Sequence, residues 1–255
     1  MIYGLYLSAT GVLASSHRQD VIANNLANSE TVGFKRHLTA FQERPVESTA
    51  QGRPDLSNAM LDDLGGGFLV SPTQIDLSEG ELENTGNNLD AAIFGKGFFA
   101  VDDHGKTMLT RAGQFLVNQQ GQLVLANGEG QHVLDGDGKP IELNGLMPSR
   151  LQIENDGRIT HEGKTVAQIG MFDVPDPSQL TKQGGNLFGY PDVTKSWQPA
   201  QAELRGGFTE RANVDPAIEL TQLMETQRQL EANANMIRYQ DSSLSKAVNE
   251  VGKIG

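Results

Sequence analysis

Residues 215–251, DPAIELTQLMETQRQLEANANMIRYQDSSLSKAVNEV, carry an apolar side chain at nearly every alternating step of three and four. The series is Leu220, Leu223, Gln227, Leu230, Ala234, Ile237, Asp241, Leu244, Val248 and Val251, and eight of these ten are apolar. Such spacing lays a narrow stripe along an α-helix, the kind of seam by which coiled coils pair. Asp215 supplies an N-capping carboxylate, and Pro216 stands where a missing N–H costs nothing. No glycine falls between Gly207 and Gly252. A long helix with one narrow apolar seam requires a partner.

The opposite end of the chain offers one. Ile2, Leu5, Ala9, Val12, Ser16, Gln19, Ala23 and Leu26 repeat the same spacing, six of the eight being apolar. The first sixteen residues carry no charged side chain, but the basic start of a signal peptide is missing and Gly4, Ser8, Thr10 and Gly11 dilute the apolar run. The stretch therefore reads as a helix through Asn28 and not as a cleaved leader. Its outer face is rich in Ser, Thr, Asn and Gln, and Arg18 and Asp20 are its only acidic or strongly basic side chains before Glu30. A solvated helix usually carries more charge. That face is thus expected to be buried too, against further copies of the chain.

Between the helices the composition changes twice. From Pro45 to Thr73, Ser, Thr, Gly, Pro and Asp dominate, with Gly65-Gly66-Gly67 among them, which reads as an extended linker. From Gly80 to Gly170, fifteen glycines punctuate short apolar runs: 89–93, 98–101, 115–117, 123–125, 151–153 and 166–172. Asn127-Gly128, Asp135-Gly136, Asn144-Gly145 and Asp156-Gly157 are hairpin-turn chemistry, so this region is antiparallel β. The expected fold class is α+β. Residues 1–44 form an N-terminal helix with a short continuation, 45–79 a linker, 80–200 a β barrel or sandwich, and 201–255 a return segment and C-terminal helix. The two helices are expected to pack antiparallel as a coiled-coil stalk bearing the β domain.

Chemistry is hard to find. A net charge of −12 without Lys/Arg clusters argues against a nucleic-acid surface and disfavours anionic membranes. No segment reaches the roughly 20 apolar residues of a membrane span. The chain has no cysteine, hence neither disulfides nor thiolate chemistry. Asp135-Gly136-Asp137-Gly138 begins like a calcium loop, but Lys139-Pro140 follows and no glutamate stands at the twelfth position. Asp102-Asp103-His104 ahead of Gly105 reads as a hairpin tip, and no two of the five histidines are spaced i, i+4. Gly95-Lys96-Gly97 lies between two apolar strands and not before a helix, so it reads as a tight connection rather than a phosphate cradle. Glu81 and Glu83 could serve a glycosidase only at a separation that sequence does not supply. No catalytic residue, metal ligand or cofactor site is assigned.

Two motif blocks remain. Ala23-Asn24-Asn25-Leu26-Ala27-Asn28, with Thr31 and Gly33-Phe34-Lys35-Arg36, is one. The other runs from Gly80, Leu82 and Thr85-Gly86 through Leu89-Asp90 to Gly97-Phe98-Phe99, with Thr110-Arg111, Gly113 and Phe115 after it. Together with Asn186-Leu187-Phe188 and Asn213-Val214, these blocks resemble, in order and over essentially the whole chain, the rod and hook family of the bacterial flagellum. The resemblance implies a non-enzymatic axial subunit, exported through the flagellar type III apparatus without a cleaved signal. It implies helical polymerisation, with copies of itself and with other rod and hook proteins, into the basal-body drive shaft that crosses the periplasm. The terminal helices would form the inner tube, with Ile2, Leu5, Val12, Leu26, Leu220, Leu223, Leu230, Ile237, Leu244 and Val248 as core and interface positions. Asn24, Asn25, Leu26, Asn28, Gly33, Phe34, Gly97, Phe98, Phe99 and Asn213 carry the family motif. Length and the N-terminal block favour a distal over a proximal rod position, and hook subunits usually carry extra β domains that 255 residues cannot hold. Asp215-Pro216 departs from the family pattern, which more often has asparagine and a non-proline there. Two other readings are a secreted β-rich adhesin module on a helical oligomerisation stalk and a cell-wall glycosidase. The first asks for an exposed aromatic or basic groove, hinted at only by Trp197 and scattered Phe, and the second for turnover on peptidoglycan that depends on one carboxylate.

Overall fold

Asp215 does cap the last helix: its Oδ1 accepts from the backbone N–H of Ala217 at 2.9 Å and of Ile218 at 3.3 Å. Glu219 lies in the first turn, where a negative charge suits the helix dipole. The computed structural model describes residues 2–43, 67–191, 198–200 and 202–251; of the expected linker it describes only 67–79, and Trp197 lies outside the described residues. The first element is helix α1 (Ile2–Ala27) and the last is α2 (Pro216–Val251). No helix among the described residues is long and apolar enough to cross a membrane.

Among the described residues, twenty strands lie between the helices. They are β1 (His37–Leu38), β2 (Phe41–Glu43), β3 (Phe68–Val70), β4 (Gln74–Ile75), β5 (Leu82–Asn84), β6 (Ala91–Phe94), β7 (Phe98–Asp103), β8 (Lys106–Thr110), β9 (Phe115–Val117) and β10 (Leu123–Leu125). There follow β11 (His132–Val133), β12 (Leu151–Ile153), β13 (Arg158–His161), β14 (Lys164–Gln168), β15 (Met171–Asp173), β16 (Thr181–Gly184), β17 (Leu187–Gly189), β18 (Gln198–Pro199), β19 (Glu203–Gly206) and β20 (Phe208–Glu210). The expected run 166–172 divides into β14 and β15 around Ile169-Gly170.

The chain forms two units, described separately. The helical unit takes the described residues of Met1–Ala27, His37–Gln74 and Asp215–Gly255. Within it α1 and α2 run antiparallel. A Cβ built on Gly4 would meet Gln240, one on Gly11 would meet Asn233, and Asn25 reaches Glu219. Each advance of seven or fourteen along α1 is thus matched by an equal retreat along α2. The inward face of α2 reads Glu219, Leu223, Thr226, Leu230, Asn233, Ile237, Gln240, Leu244, Ala247, all buried or half-buried. One expected row, Leu223, Leu230, Ile237 and Leu244, is present. The other is displaced by one residue: Leu220 is 49% and Val248 69% exposed, and Glu219, Thr226, Asn233, Gln240 and Ala247 take the inner positions.

On α1 the buried residues are Ser8, Ser15, Ile22 and Asn25, each one step from the expected stripe, and Val21. Leu5, Val12 and Leu26 are half-buried. Gly4 and Gly11 face Gln240 and Asn233 closely, so that part of the contact takes amide side chains in place of larger apolar ones.

The β unit comprises Asn28–Arg36 and the described residues of Ile75–Val214. Its main sheet has the order β16-β17-β8-β7-β11-β10-β9, with β15 and β18 attached. Phe99 and Val101 of β7 point into one core with Leu89, Phe115, Leu123 and Leu151, whereas Phe98 and Ala100 point into another with Leu134, Phe172 and Phe188. Burial on both faces makes residues 98–101 of β7 a continuous apolar run. The closed barrel offered among the sequence expectations does not form. One edge of β7 pairs with β8, and the other is shared, β15 taking Phe98 and Phe99 and β11 taking Val101 and Asp102. The sheet therefore forks at β7 and does not curl round to rejoin itself among the described residues.

Candidate functional site

The most concentrated polar feature of the β unit is a buried carboxylate. Glu210 ends β20, and its side chain is 1% exposed. Oε1 accepts from Lys35 Nζ at 2.6 Å and from the Gly80 N–H at 2.9 Å; Oε2 faces Arg111 Nη1 at 3.3 Å. Lys35 donates further to the Ser78 carbonyl, and Arg111 to the carbonyls of Ile93 and Gly95. One anion therefore holds two cations from distant parts of the sequence. Burial holds the Lys35 ammonium below the ordinary lysine range, with Arg111 acting in the same sense and Glu210 opposing both.

Asn213 sits three residues further on. Its Oδ1 accepts the Arg36 N–H at 2.7 Å, and its Nδ2 donates to the Asp76 carbonyl at 2.9 Å and to Ser78. Glu210 and Asn213 together bind the segment 28–36, the segment 76–80 and the last strand into one knot. Gly33 fits the same arrangement. Its N–H donates to the Glu210 carbonyl, its φ is +70°, and an added Cβ would come within 2.4 Å of the Arg111–Ala112 backbone, so no other residue can stand there. Asn186 closes the segment from the other side by donating to the Val32 carbonyl at 2.9 Å.

The helical unit holds a second clamp. Asn25, 1% exposed, accepts the His37 N–H and donates to the His37 carbonyl, both at 2.9 Å, as a β-strand neighbour would, and it also reaches Glu219 at 3.4 Å. One amide thus joins the end of α1, strand β1 and the start of α2.

The motif residues divide between the two units. Gly33, Phe34, Phe98, Phe99 and Asn213 belong to the β unit, with Phe34, Phe98 and Phe99 buried and Gly97 directly ahead of β7. Asn24 is exposed, and Leu26 and Asn28 are half-buried. Of the interface positions, Leu5, Val12, Leu223, Leu230, Ile237 and Leu244 are half-buried in the helical unit, and Leu220 and Val248 are exposed; the side chain of Ile2 lies outside the described residues. Glu210 was absent from the sequence expectations. Its one available signal is that Lys35 and Arg111 stand beside buried aromatic and β-strand residues and so need an anion from elsewhere.

The polar groups that could have suggested chemistry are turns. Asp135 Oδ1 accepts from Asp137 and Lys139 N–H groups, Asp102 caps the tip at Gly105, and Gly95-Lys96-Gly97 links β6 to β7. Among the described residues no three His, Asp or Glu side chains converge to hold a metal ion.

Lys182 rests over the Phe34 ring at 3.7 Å, and burial lowers its pKa to about 8. Between about pH 8 and 10.5 the unfolded chain binds more protons at this position than the folded one, so its contribution makes stability rise with pH across that window. Solvent screening and the ring hold the gain under about 1 kcal/mol. In urea unfolding at pH 7 and pH 9.5, Lys182→Met is expected to remove this rise; an unchanged pH slope would refute it.

Comparison with known proteins gives matches along the length of the chain. Residues 5–35 match the family model described as flagella basal body rod protein, residues 92–161 that of the flagellar hook protein FlgE/F/G D1 domain, and residues 205–250 that of the flagellar basal body rod FlgEFG protein C-terminal. The chain is 32% identical over 253 residues to the flagellar basal-body rod protein FlgF of Mesorhizobium japonicum, 97% of each chain being covered. It is 31% identical to the flagellar basal-body rod protein FlgG of Bacillus subtilis, over 98% of this chain and 99% of the relative. It is also 31% identical to the FlgF of Caulobacter vibrioides, over 98% of each.

Proposed function

This chain belongs to the flagellar basal-body rod protein family, and from that premise we propose that it is a structural subunit of the rod, polymerising helically with copies of itself and joining other flagellar axial proteins. The families and relatives it matches are structural rod proteins, not enzymes, and their place is the basal-body rod. Relatives of the FlgF and FlgG kinds match at equal strength, so the reading is taken to the level of the rod and not to a position along it.

The observation that carries the mechanism is the surplus of apolar surface on the helix pair. After α1 and α2 have covered one seam, Leu13, Leu220, Met236, Tyr239 and Val248 remain between 49% and 72% exposed. A single chain cannot hide two stripes of α2 against one partner helix, and further copies can. In this reading α1 and α2 form an antiparallel coiled coil, pairs of copies line the tube, and the subunit reaches the growing end through the flagellar export apparatus.

Deletion of the gene followed by electron microscopy of purified basal bodies tests the assignment. Rods that are absent or stop at a defined length, restored by the wild-type gene, are the expected result. Complete rods and normal swimming without the protein would overturn it.

A further inference from the structure

The seam between α1 and α2 is unlike a stable coiled coil in one respect. Its leucine row, Leu223, Leu230, Ile237 and Leu244, alternates with Glu219, Thr226, Asn233 and Gln240, and two of these polar side chains face glycines. Glycine inside a helix costs about 1 kcal/mol relative to alanine. Gln240 Oε1 is buried without a hydrogen-bond donor, a further cost. Neither feature helps the pair to form.

Both features distinguish one alignment from all others. Gly4 and Gly11 are seven residues apart, as are Asn233 and Gln240, and a Cβ on either glycine would lie 2.8 Å from the facing amide. In the observed register both amides find glycines while Asn25 finds Glu219. A slip of one heptad in either direction leaves one amide without its glycine and takes Asn25 away from Glu219. One direction also sets Arg18 opposite Asn233. A smaller slip sets the amides opposite the α1 residues that the leucine row faces in the observed register. A leucine at every layer would accept all heptad slips almost equally, whereas isolated polar layers reject them at a cost in stability.

We propose that the glycine–amide layers Gly4/Gln240 and Gly11/Asn233 are the register-determining contacts of the terminal helix pair. They fix which residues of α1 and α2 remain on the outside for neighbouring copies. The inference rests on the reading of this pair as the assembling part of the subunit. Register is read within one chain and motility in cells, so the two can fail independently.

The absence of native cysteine makes the test direct. Ser15→Cys with Leu230→Cys reports the observed register, and Ser15→Cys with Leu223→Cys reports a slip of one heptad. Disulfide trapping in the otherwise wild-type chain should give the first cross-link and little of the second. Gly11→Leu, which raises helix propensity but overfills the contact with Asn233, should lower the ratio of first to second by at least about tenfold. Adding Asn233→Ala should restore that ratio by making room. An unchanged ratio in Gly11→Leu, or no recovery on adding Asn233→Ala, would overturn the proposal. So would equal amounts of both cross-links in the parent.

Discussion

Replacing Glu210 by glutamine is expected to destabilise the β unit by about 3–5 kcal/mol, the range for removing one partner of a buried ion pair. Glutamine preserves the volume and can still accept from Lys35 and Gly80, so any loss reports charge and not a cavity. In the wild type the Glu210 and Lys35 side chains are each 1% exposed and Arg111 is 5% exposed, which leaves water unable to compensate either cation. The unfolded chain hydrates both cations freely, and the whole penalty falls on the folded state. Urea unfolding of the purified chain should show the midpoint falling with little change in slope. Replacing Lys35 and Glu210 together by methionine should cost less than Glu210→Gln alone, because one buried cation, Arg111, then loses its anion in place of two. A loss under about 1 kcal/mol for Glu210→Gln would mean that the carbonyls of Ser78, Ile93 and Gly95 suffice to hold the cations.

The clamp also shows which parts of the molecule can be read from sequence. Strands and hairpins were legible because Asp-Gly and Asn-Gly turns and short apolar runs act over a few residues, as at Asp156-Gly157 between β12 and β13. The fork at β7 was not, since it depends on which of two distant strands takes each half of one edge. The long helices announced themselves through the spacing of Leu223, Leu230, Ile237 and Leu244. The companion row was misplaced because periodicity counts apolar side chains, whereas packing responds to the room available opposite them. Gly4 and Gly11 leave room for Gln240 and Asn233 on the inner face, and Leu220 and Val248 stand one residue off that face. For the motif residues Asn25 and Asn213, resemblance marked the positions without giving a reason. The geometry supplies it: Asn25 satisfies both backbone groups of His37, and Asn213 those of Arg36, Asp76 and Ser78. Glu210 carries no local mark, because nothing adjacent to it reveals that it is buried between two cations.

Two charged substitutions should abolish rod formation by different routes. Ile237→Glu places a carboxylate on the inner row of α2, where it is desolvated within the chain's own helix pair. Leu220→Glu places one on the outer surface, where the isolated chain leaves half of the side chain in water. The first should therefore suppress the Ser15→Cys/Leu230→Cys cross-link as well as assembly, and the second should leave the cross-link intact and block assembly alone. Neither should move the unfolding midpoint of the β unit, whose core contains neither residue. Because a helical polymer repeats every contact, a penalty of several kcal/mol for burying an unpaired carboxylate is incurred once per subunit and cannot be absorbed at a single defect. Cells in which either variant replaces the wild type should be non-motile and lack complete rods. Normal swimming with Leu220→Glu would show that the outer row of α2 stays in water in the assembled rod, leaving the inner row alone to hold the helices.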